Sequence, residues 1–244
     1  SRLDNHVAAT AETSATWPAL ALRDVSATCS FTVTVTDEEN PVISCPELTE
    51  DDYSVTTDAG ENTYTHEGTG WNATASDNDG IRSLTYALSG ATTTITGDGS
   101  SLDNQVFNMG ETTVTWTVVD NSGLSATCSF TVTVTDDENP VISCPELTED
   151  NYSATTDAGV DTYTHRDTDL DATASDNDGI RSLTYALSGA TTGTGSSLLD
   201  QVFNMGETTV TWTVVDNSNL TATCTYTVTV TDDENPVISC PELT

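Results

Sequence analysis

The chain has 244 residues, with 39 Asp and Glu against five Arg and no Lys, for a formal net charge of −34. A field of that sign repels nucleic acid and anionic membrane surfaces, which removes both as partners. The 35% apolar content, with Val, Thr, Ile, Tyr and Trp recurring in alternation, is nonetheless that of folded β-structure and not of a disordered acidic segment.

Self-similarity organises the sequence. ENPVISCPELTED stands at 39–51 and 138–150, and its opening returns from Glu234 to Thr244. ASDNDGIRSLTYALSGATT occupies 75–93 and 174–192, and QVFNMGETTVTWTVVDNS occupies 105–122 and 201–218. Pro41, Pro140 and Pro236 are equivalent, with spacings of 99 and 96 residues. The three-residue difference lies between these blocks, as a loop indel does. The organisation read from this is the second half of a degenerate repeat (1–40), complete repeats at 41–139 and 140–235, and the first strand of a following repeat (236–244). On this reading the chain is an excerpt of a longer protein.

In chain order, residues 2–31 align without gaps onto 101–130, but Thr10-Ala11 replace Met109-Gly110, Ala21-Leu22 replace Asp120-Asn121, and Pro18 falls inside the expected strand. These departures leave the stretch before Ser26 without a strand assignment. In the first complete repeat, Pro41–Cys45 reads as a short strand opened by a proline, which suits an edge. Leu84, Tyr86 and Leu88 form one face of a second strand. Val114, Trp116 and Val118 do the same within 111–119, and Cys128, Phe130, Val132 and Val134 within 125–135. Asp120-Asn121-Ser122-Gly123 between the last two is a hairpin turn sequence. About seven short strands per unit with no helical period predict an all-β fold: tandem immunoglobulin-like β-sandwich repeats in a rod.

Six cysteines, at 29, 45, 128, 144, 224 and 240, have neither zinc-site nor catalytic spacing and point to disulfides in an oxidising compartment. In such a sandwich the first and last strands start at the same end, which pairs Cys45 with Cys128 and Cys144 with Cys224. Pairing Cys128 with Cys144 would fold back a strand already ~26 Å long past its cysteine, whereas bridged Cα atoms lie ~5.5 Å apart. Cys29 and Cys240 then pair outside the sequence.

Taken in order, Asp-x-x-x-Pro-x-Ile-x-Cys-Pro, Ala-x-Asp-Asn-x-Gly, Met-Gly-Glu-Thr-Thr-Val-Thr-Trp-Thr-Val-Val-Asp and Ala-Thr-Cys-Ser-Phe-Thr-Val-Thr-Val-Thr-Asp resemble the hyalin repeat (HYR) domain across both complete repeats. The resemblance implies an immunoglobulin-like module of extracellular and cell-surface proteins, with roles in adhesion or scaffolding and no enzyme activity. Long arrays of this kind resemble bacterial surface adhesins and filaments and echinoderm matrix protein.

Acidic residues recur at three places in each unit. The linkers carry Asp37, Glu38, Glu39 and Asn40, then Asp136, Asp137, Glu138 and Asn139. A turn carries Asp77, Asn78 and Asp79, then Asp176, Asn177 and Asp178. The last hairpin carries Asp120 and Asn121, then Asp216 and Asn217. The sandwich topology brings all three to one end, where carboxylate, amide and backbone oxygens suit Ca²⁺, which takes six to eight oxygen ligands. The linker Asp-Asp-Glu-Asn-Pro also resembles, over five residues, the calcium-binding linkers of cadherins. The expected cofactor is therefore calcium, clamping each joint. Isolated Asp-Asn turns form without metal, since Asp caps its own backbone.

Other residues carry less. His66 and His165 follow Tyr64 and Tyr163 in a strand and read as packing. No Ser-His-Asp order, phosphate loop or zinc spacing occurs. Trp116 and Trp212 face the core, and Trp71 is replaced by Leu170. Outward Thr-x-Thr rows are good β-formers, with ice binding as a minor reading. Asn72, Asn151 and Asn219 lie in glycosylation sequons. The expected function is a structural extracellular stalk or filament on a cell surface. Its partners would be neighbouring repeats of the same chain or filament. The alternatives are adhesin repeats that bind a surface glycan or protein, and accessory repeats of a larger secreted enzyme.

Overall fold

The computed structural model describes residues 12–20, 26–47, 53–93, 99–147 and 151–240. Thr10, Ala11, Ala21 and Leu22 lie outside them. Among the described residues every element of three or more residues is a strand. The leading fragment holds β1 (Glu12–Leu20) and β2 (Ser26–Thr34). The first complete repeat holds β3 (Val42–Ser44), β4 (Ser54–Thr56), β5 (Thr63–His66), β6 (Thr74–Ser76), β7 (Ile81–Gly90), β8 (Gln105–Asn108), β9 (Gly110–Asp120) and β10 (Ser125–Thr135). The second holds β11 (Val141–Ser143), β12 (Asn151–Thr155), β13 (Thr162–Thr164), β14 (Thr173–Ser175), β15 (Ile180–Gly189), β16 (Gly193–Gly195), β17 (Val202–Asn204), β18 (Gly206–Asp216) and β19 (Thr221–Thr231). The chain divides into two compact units, residues 1–58 with 63–135 and residues 59–62 with 136–244.

In the first repeat, β4-β10-β9-β7 form one sheet, and β3 with β6 and β5 with β8 form antiparallel pairs. The alternation read in the sequence sets which side is wet. Val114, Trp116, Val118, Val132 and Val134 are at most 1% exposed, and the threonines between them face outward. Val114, Trp116, Val132 and Val134 share one core with Ile43, Tyr64, Ala73 and Phe107 from the opposing layer, which closes an immunoglobulin-like sandwich. The second repeat builds the same arrangement from β12-β19-β18-β15-β16, with β11 against β14 and β13 against β17. Its core gathers Leu170, Leu187, Phe203, Val210, Trp212 and Tyr226. Each fully buried aliphatic or aromatic side chain of this kind contributes about 1.5–3 kcal/mol.

Cys45 bonds to Cys128 and Cys144 to Cys224, each with Cα atoms 5.8 Å apart. The bridges close loops of 83 and 80 residues and tie the first strand to the sheet, a constraint worth roughly 2–5 kcal/mol each. β4 runs parallel to the end of β10, and β12 parallel to β19, whereas β3 and β11, which lead into the bridged cysteines, pair antiparallel with β6 and β14. Cys29 and Cys240 are exposed and free.

The departures between 9 and 24 do not abolish a strand. β1 runs through Pro18 and pairs with β2 in unbroken antiparallel register from Glu12–Thr34 to Leu20–Ser26. Gly90 ends β7 at a φ of +108°, where an added Cβ would meet the Glu111 carbonyl at 2.4 Å. Gly189 repeats this against Glu207 at 2.5 Å. Only glycine lets the chain leave the sheet there.

Candidate metal centre

In the first repeat the three acidic segments are each fixed by one carboxylate oxygen, which leaves the other over. Asp37 accepts a hydrogen bond from Glu39 N at 3.2 Å through Oδ1, turning the linker on itself. Asp79 closes its own turn: Asp77 Oδ1 accepts from Asp79 N at 2.7 Å, and Gly80 follows at a φ of +93°. Asp79 Oδ2 then accepts from Ser122 Oγ at 2.7 Å, and its carbonyl accepts from Asn121 Nδ2 at 2.7 Å. These two bonds bring the turn and the last hairpin together. Asp120 ends β9 with its backbone N donating to Leu124 O, and its Oδ1 accepts from Leu124 N at 2.8 Å.

The remaining oxygens, Asp37 Oδ2, Asp79 Oδ1 and Asp120 Oδ2, are buried and have no hydrogen-bond partner. Asp120 is 0% exposed. A buried, unpaired carboxylate oxygen is costly unless a cation or proton meets it. Asp37, Asp79 and Asp120 each offer one oxygen within 4.8 Å of the others. Two oxygens on opposite sides of one Ca²⁺ at ~2.4 Å lie ~4.8 Å apart, so this spread fits a single ion of that size.

The second repeat repeats the construction. Asp136, Asp176 and Asp178 offer oxygens within the same 4.8 Å. Asp136 Oδ1 accepts from Glu138 N and from Asn177 Nδ2, at 3.3 and 3.1 Å. Asp176 Oδ1 accepts from Asp178 N at 2.9 Å. Asp178 Oδ2 accepts from Ser218 Oγ at 2.7 Å, and its carbonyl from Asn217 Nδ2 at 2.7 Å. Asp216, the counterpart of Asp120, caps Leu220 N through Oδ1, is 0% exposed and leaves Oδ2 without a hydrogen bond. Lost hydration pushes the Asp176 carboxyl above the usual carboxylate range, and repulsion from Asp136 and Asp178 adds to it. Aligned by repeat, Asp77 is the counterpart of Asp176 and Asp216 of Asp120, but Asp77 is not in the first oxygen cluster and Asp216 is not in the second.

The other acidic and amide positions have different work. Asn121 and Asn217 use their amides as struts between loops. Glu39 accepts from Asn78 Nδ2 at 3.1 Å. Glu138 accepts from Gly60 N at 2.8 Å, and Glu234, its counterpart in the next linker, accepts from Gly159 N. Glu38 and Asp137 stand outside both carboxylate clusters. Each cluster lies inside a single compact unit, so the ligands come from one repeat and its leading linker. Ser122 and Ser218 were not singled out from the sequence; their repetition directly after Asp-Asn was the available signal.

The HYR domain family model matches residues 36–134 and 135–230. The chain belongs to the HYR domain family. Among curated HYR relatives, hyalin of Strongylocentrotus purpuratus is 31% identical over 222 residues, covering 88% of this chain and 16% of hyalin. The chain thus spans a small part of that relative's length. Solved structures similar to these HYR repeats include Drosophila N-cadherin EC1-4, at 16% identity and a TM-score of 0.38, covering 91% of this chain and 58% of that one. Mouse cadherin-23 EC22-24 is similar at 19% identity and a TM-score of 0.35, covering 87% and 71%. The fibronectin(III)-like modules of Clostridium thermocellum CbhA align at 13% identity and a TM-score of 0.31, covering 82% of this chain and all of theirs.

Proposed function

We propose that these HYR repeats form part of an extracellular structural stalk or filament, non-catalytic, in which calcium ties each leading linker to the repeat that follows it. The observations that carry the reading are a cluster of three carboxylates in each repeat and, recurring in both, a fully buried aspartate, Asp120 or Asp216, whose second oxygen has no hydrogen bond. The proposed ligands are Asp37, Asp77, Asp79 and Asp120, and Asp136, Asp176, Asp178 and Asp216, with backbone carbonyls and water completing the shell. The proposed domain limits are 41–139 and 140–235, each repeat opening at its proline and closing on the linker that follows it. Without the ion, the carboxylates repel and the linker loses its tie, so the rod bends. The two disulfides support an oxidising, extracellular setting. Among the described residues no helix is long and apolar enough to cross a membrane.

The test is thermal melting and small-angle scattering of the chain in Ca²⁺ and in chelator. Calcium at a hundred times its Kd should stabilise each repeat by about 2.7 kcal/mol and lengthen the particle. Asp120→Asn with Asp216→Asn should remove most of the calcium response. Identical melting and length in the two buffers would refute the proposal.

A further inference from the structure

In the first repeat an open cavity of about 630 Å³ lies between β4, β5 and the loop that follows β5, a volume within the range of roughly 300–1,000 Å³ usual for small-molecule sites. Val55, Tyr64 and Trp71 form its apolar lining, and Asp58, His66 and Glu67 its polar one. Val55 and Tyr64 are half-buried and give most of the apolar wall that a ligand can touch, since Trp71 is 5% exposed. Thr65 N donates to Asp58 Oδ2 at 2.9 Å and holds that carboxylate in place. His66 is 6% exposed, and its Nε2 has no hydrogen-bond partner. A buried ring nitrogen left unpaired costs stability, and stacking on Trp71 does not satisfy it. The second repeat shows what the first one lacks. There Asp169 Oδ1 stands 3.0 Å from His165 Nε2. The aligned position in the first repeat is Gly70, and a Cβ added there would meet nothing within 4 Å. Arg166 in turn stands where the first repeat has Glu67. The first repeat thus lacks the acceptor beside its histidine, leaves the space for one open, and carries a carboxylate on the cavity instead of a guanidinium.

We propose that this cavity binds a neutral saccharide unit, one of whose hydroxyl oxygens takes the place beside His66 that Asp169 has beside His165. The chemistry of the lining selects that class. In the second repeat the Tyr163 hydroxyl faces His165 Nδ1 and a carboxylate faces Nε2, an arrangement that suits a ring protonated on Nε2. With the same tautomer, His66 Nε2 is a donor in need of an acceptor. A cation offers none. An ionised acceptor is repelled by Asp58 and Glu67 on the cavity and by Asp103, whose charge is felt at the ring. A hydroxyl is neutral, accepts from Nε2 and donates to a carboxylate. A saccharide carries several hydroxyls on one ring, and its C–H face packs on an aromatic wall such as Tyr64. Burial lowers the His66 pKa, which keeps the ring neutral and the pattern of donors intact at neutral pH. Of the two repeats only the first offers the site, since Asp169 already faces the ring in the second. The inference does not depend on calcium.

Proton–nitrogen correlation NMR of the histidine rings in the whole chain tests it, with glucose, galactose, mannose and N-acetylglucosamine as probes, then maltotriose and chitotriose. The expected result is a saturable shift of the His66 ring signals, with a Kd on the order of 1 mM, ordinary for a ligand of about a dozen heavy atoms. The His165 signals should stay in place. A trisaccharide that binds more tightly than its own monosaccharide identifies an extended glycan as the source, and equal affinity identifies a free sugar. Gly70→Asp, which installs the second repeat's carboxylate, should weaken binding at least tenfold without lowering the melting temperature. Should it disturb folding, Glu67→Arg, at an exposed position, should weaken binding several-fold by itself. The inference is overturned if no saccharide shifts His66 at ten times that Kd, if His165 shifts equally, or if the variants bind as the parent chain does. It is also overturned if lysine shifts the His66 ring as strongly as any sugar, which would assign the cavity to a cation.

Discussion

The two repeats fill the same corner of the sandwich in different ways. In the first, Trp71 is 5% exposed and lies flat on His66, with ring centroids 3.9 Å apart and planes 4° from parallel. Tyr53 stacks on Phe130 at 4.6 Å, and its hydroxyl donates to Pro46 O. In the second, Leu170 replaces the tryptophan and Tyr226 replaces Phe130. The new hydroxyl donates to the Leu170 carbonyl. Tyr152 and Tyr163 join through their hydroxyls at 2.9 Å, and Tyr163 continues to His165 Nδ1 at 3.3 Å. His165 Nε2 lies 3.0 Å from Asp169 Oδ1, an ion-pair distance without the angle of a hydrogen bond. Burial holds the Tyr163 and Tyr226 phenols far above their ordinary range, so both remain neutral donors. An aromatic stack and a polar chain are thus interchangeable at this corner, provided that the volume is filled.

The comparison breaks most sharply at Trp71. Trp71→Ala should cost the first repeat about 3–5 kcal/mol, visible as faster amide hydrogen exchange in 41–135 with 140–231 unaffected. Tyr226→Phe should cost the second repeat about 1–3 kcal/mol by stranding the Leu170 carbonyl. The same substitution in reverse, Phe130→Tyr, puts the hydroxyl where the Trp71 ring packs edge-on against Phe130 and should bring no gain.

A pH titration separates the two corners next. Burial lowers the His66 pKa from its ordinary 6.5, opposed in part by Asp103. The folded state therefore favours the neutral ring, and its contribution is complete above pH 6.5. As pH falls below that value the unfolded chain takes up the proton first, and the first repeat loses stability until the lowered folded value is passed. Calorimetry between pH 7.5 and 5 should show its melting fall, and His66→Gln should flatten the slope. The smallest effect is expected at Asp169, 60% exposed. Asp169→Asn should change melting by under ~1 kcal/mol, the size of a surface pair.

Period-two alternation made the main sheet legible in the sequence, because one face of each long strand is buried and one is wet. It placed Trp116, Phe130 and the cystines correctly, since strand direction alone brings Cys45 near Cys128. The acidic loops were legible as a group for the same topological reason. Which of their oxygens remain free was not legible. That depends on local bonds, such as Asn121 Nδ2 to the Asp79 carbonyl, which turn an amide into a strut and leave aspartates as the ligand candidates. The strand through Pro18 was also hidden, because a proline and two lost turn residues outweighed the pairing partner that β2 supplies. The exchange of Trp71 for Leu170 was visible, but its compensation by Tyr226 was not, since the two positions meet only across the sandwich.

Each acidic cluster is complete within one repeat and the linker that leads into it. A segment duplicated from one leading linker to the next therefore carries a whole acidic cluster with it. The number of clusters then rises one for one with the number of repeats, and lengthening the array leaves no half-built cluster at the junction. That makes the HYR unit a heritable module: its length can drift by a few residues, as 99 and 96 show, without disturbing the inventory of acidic clusters.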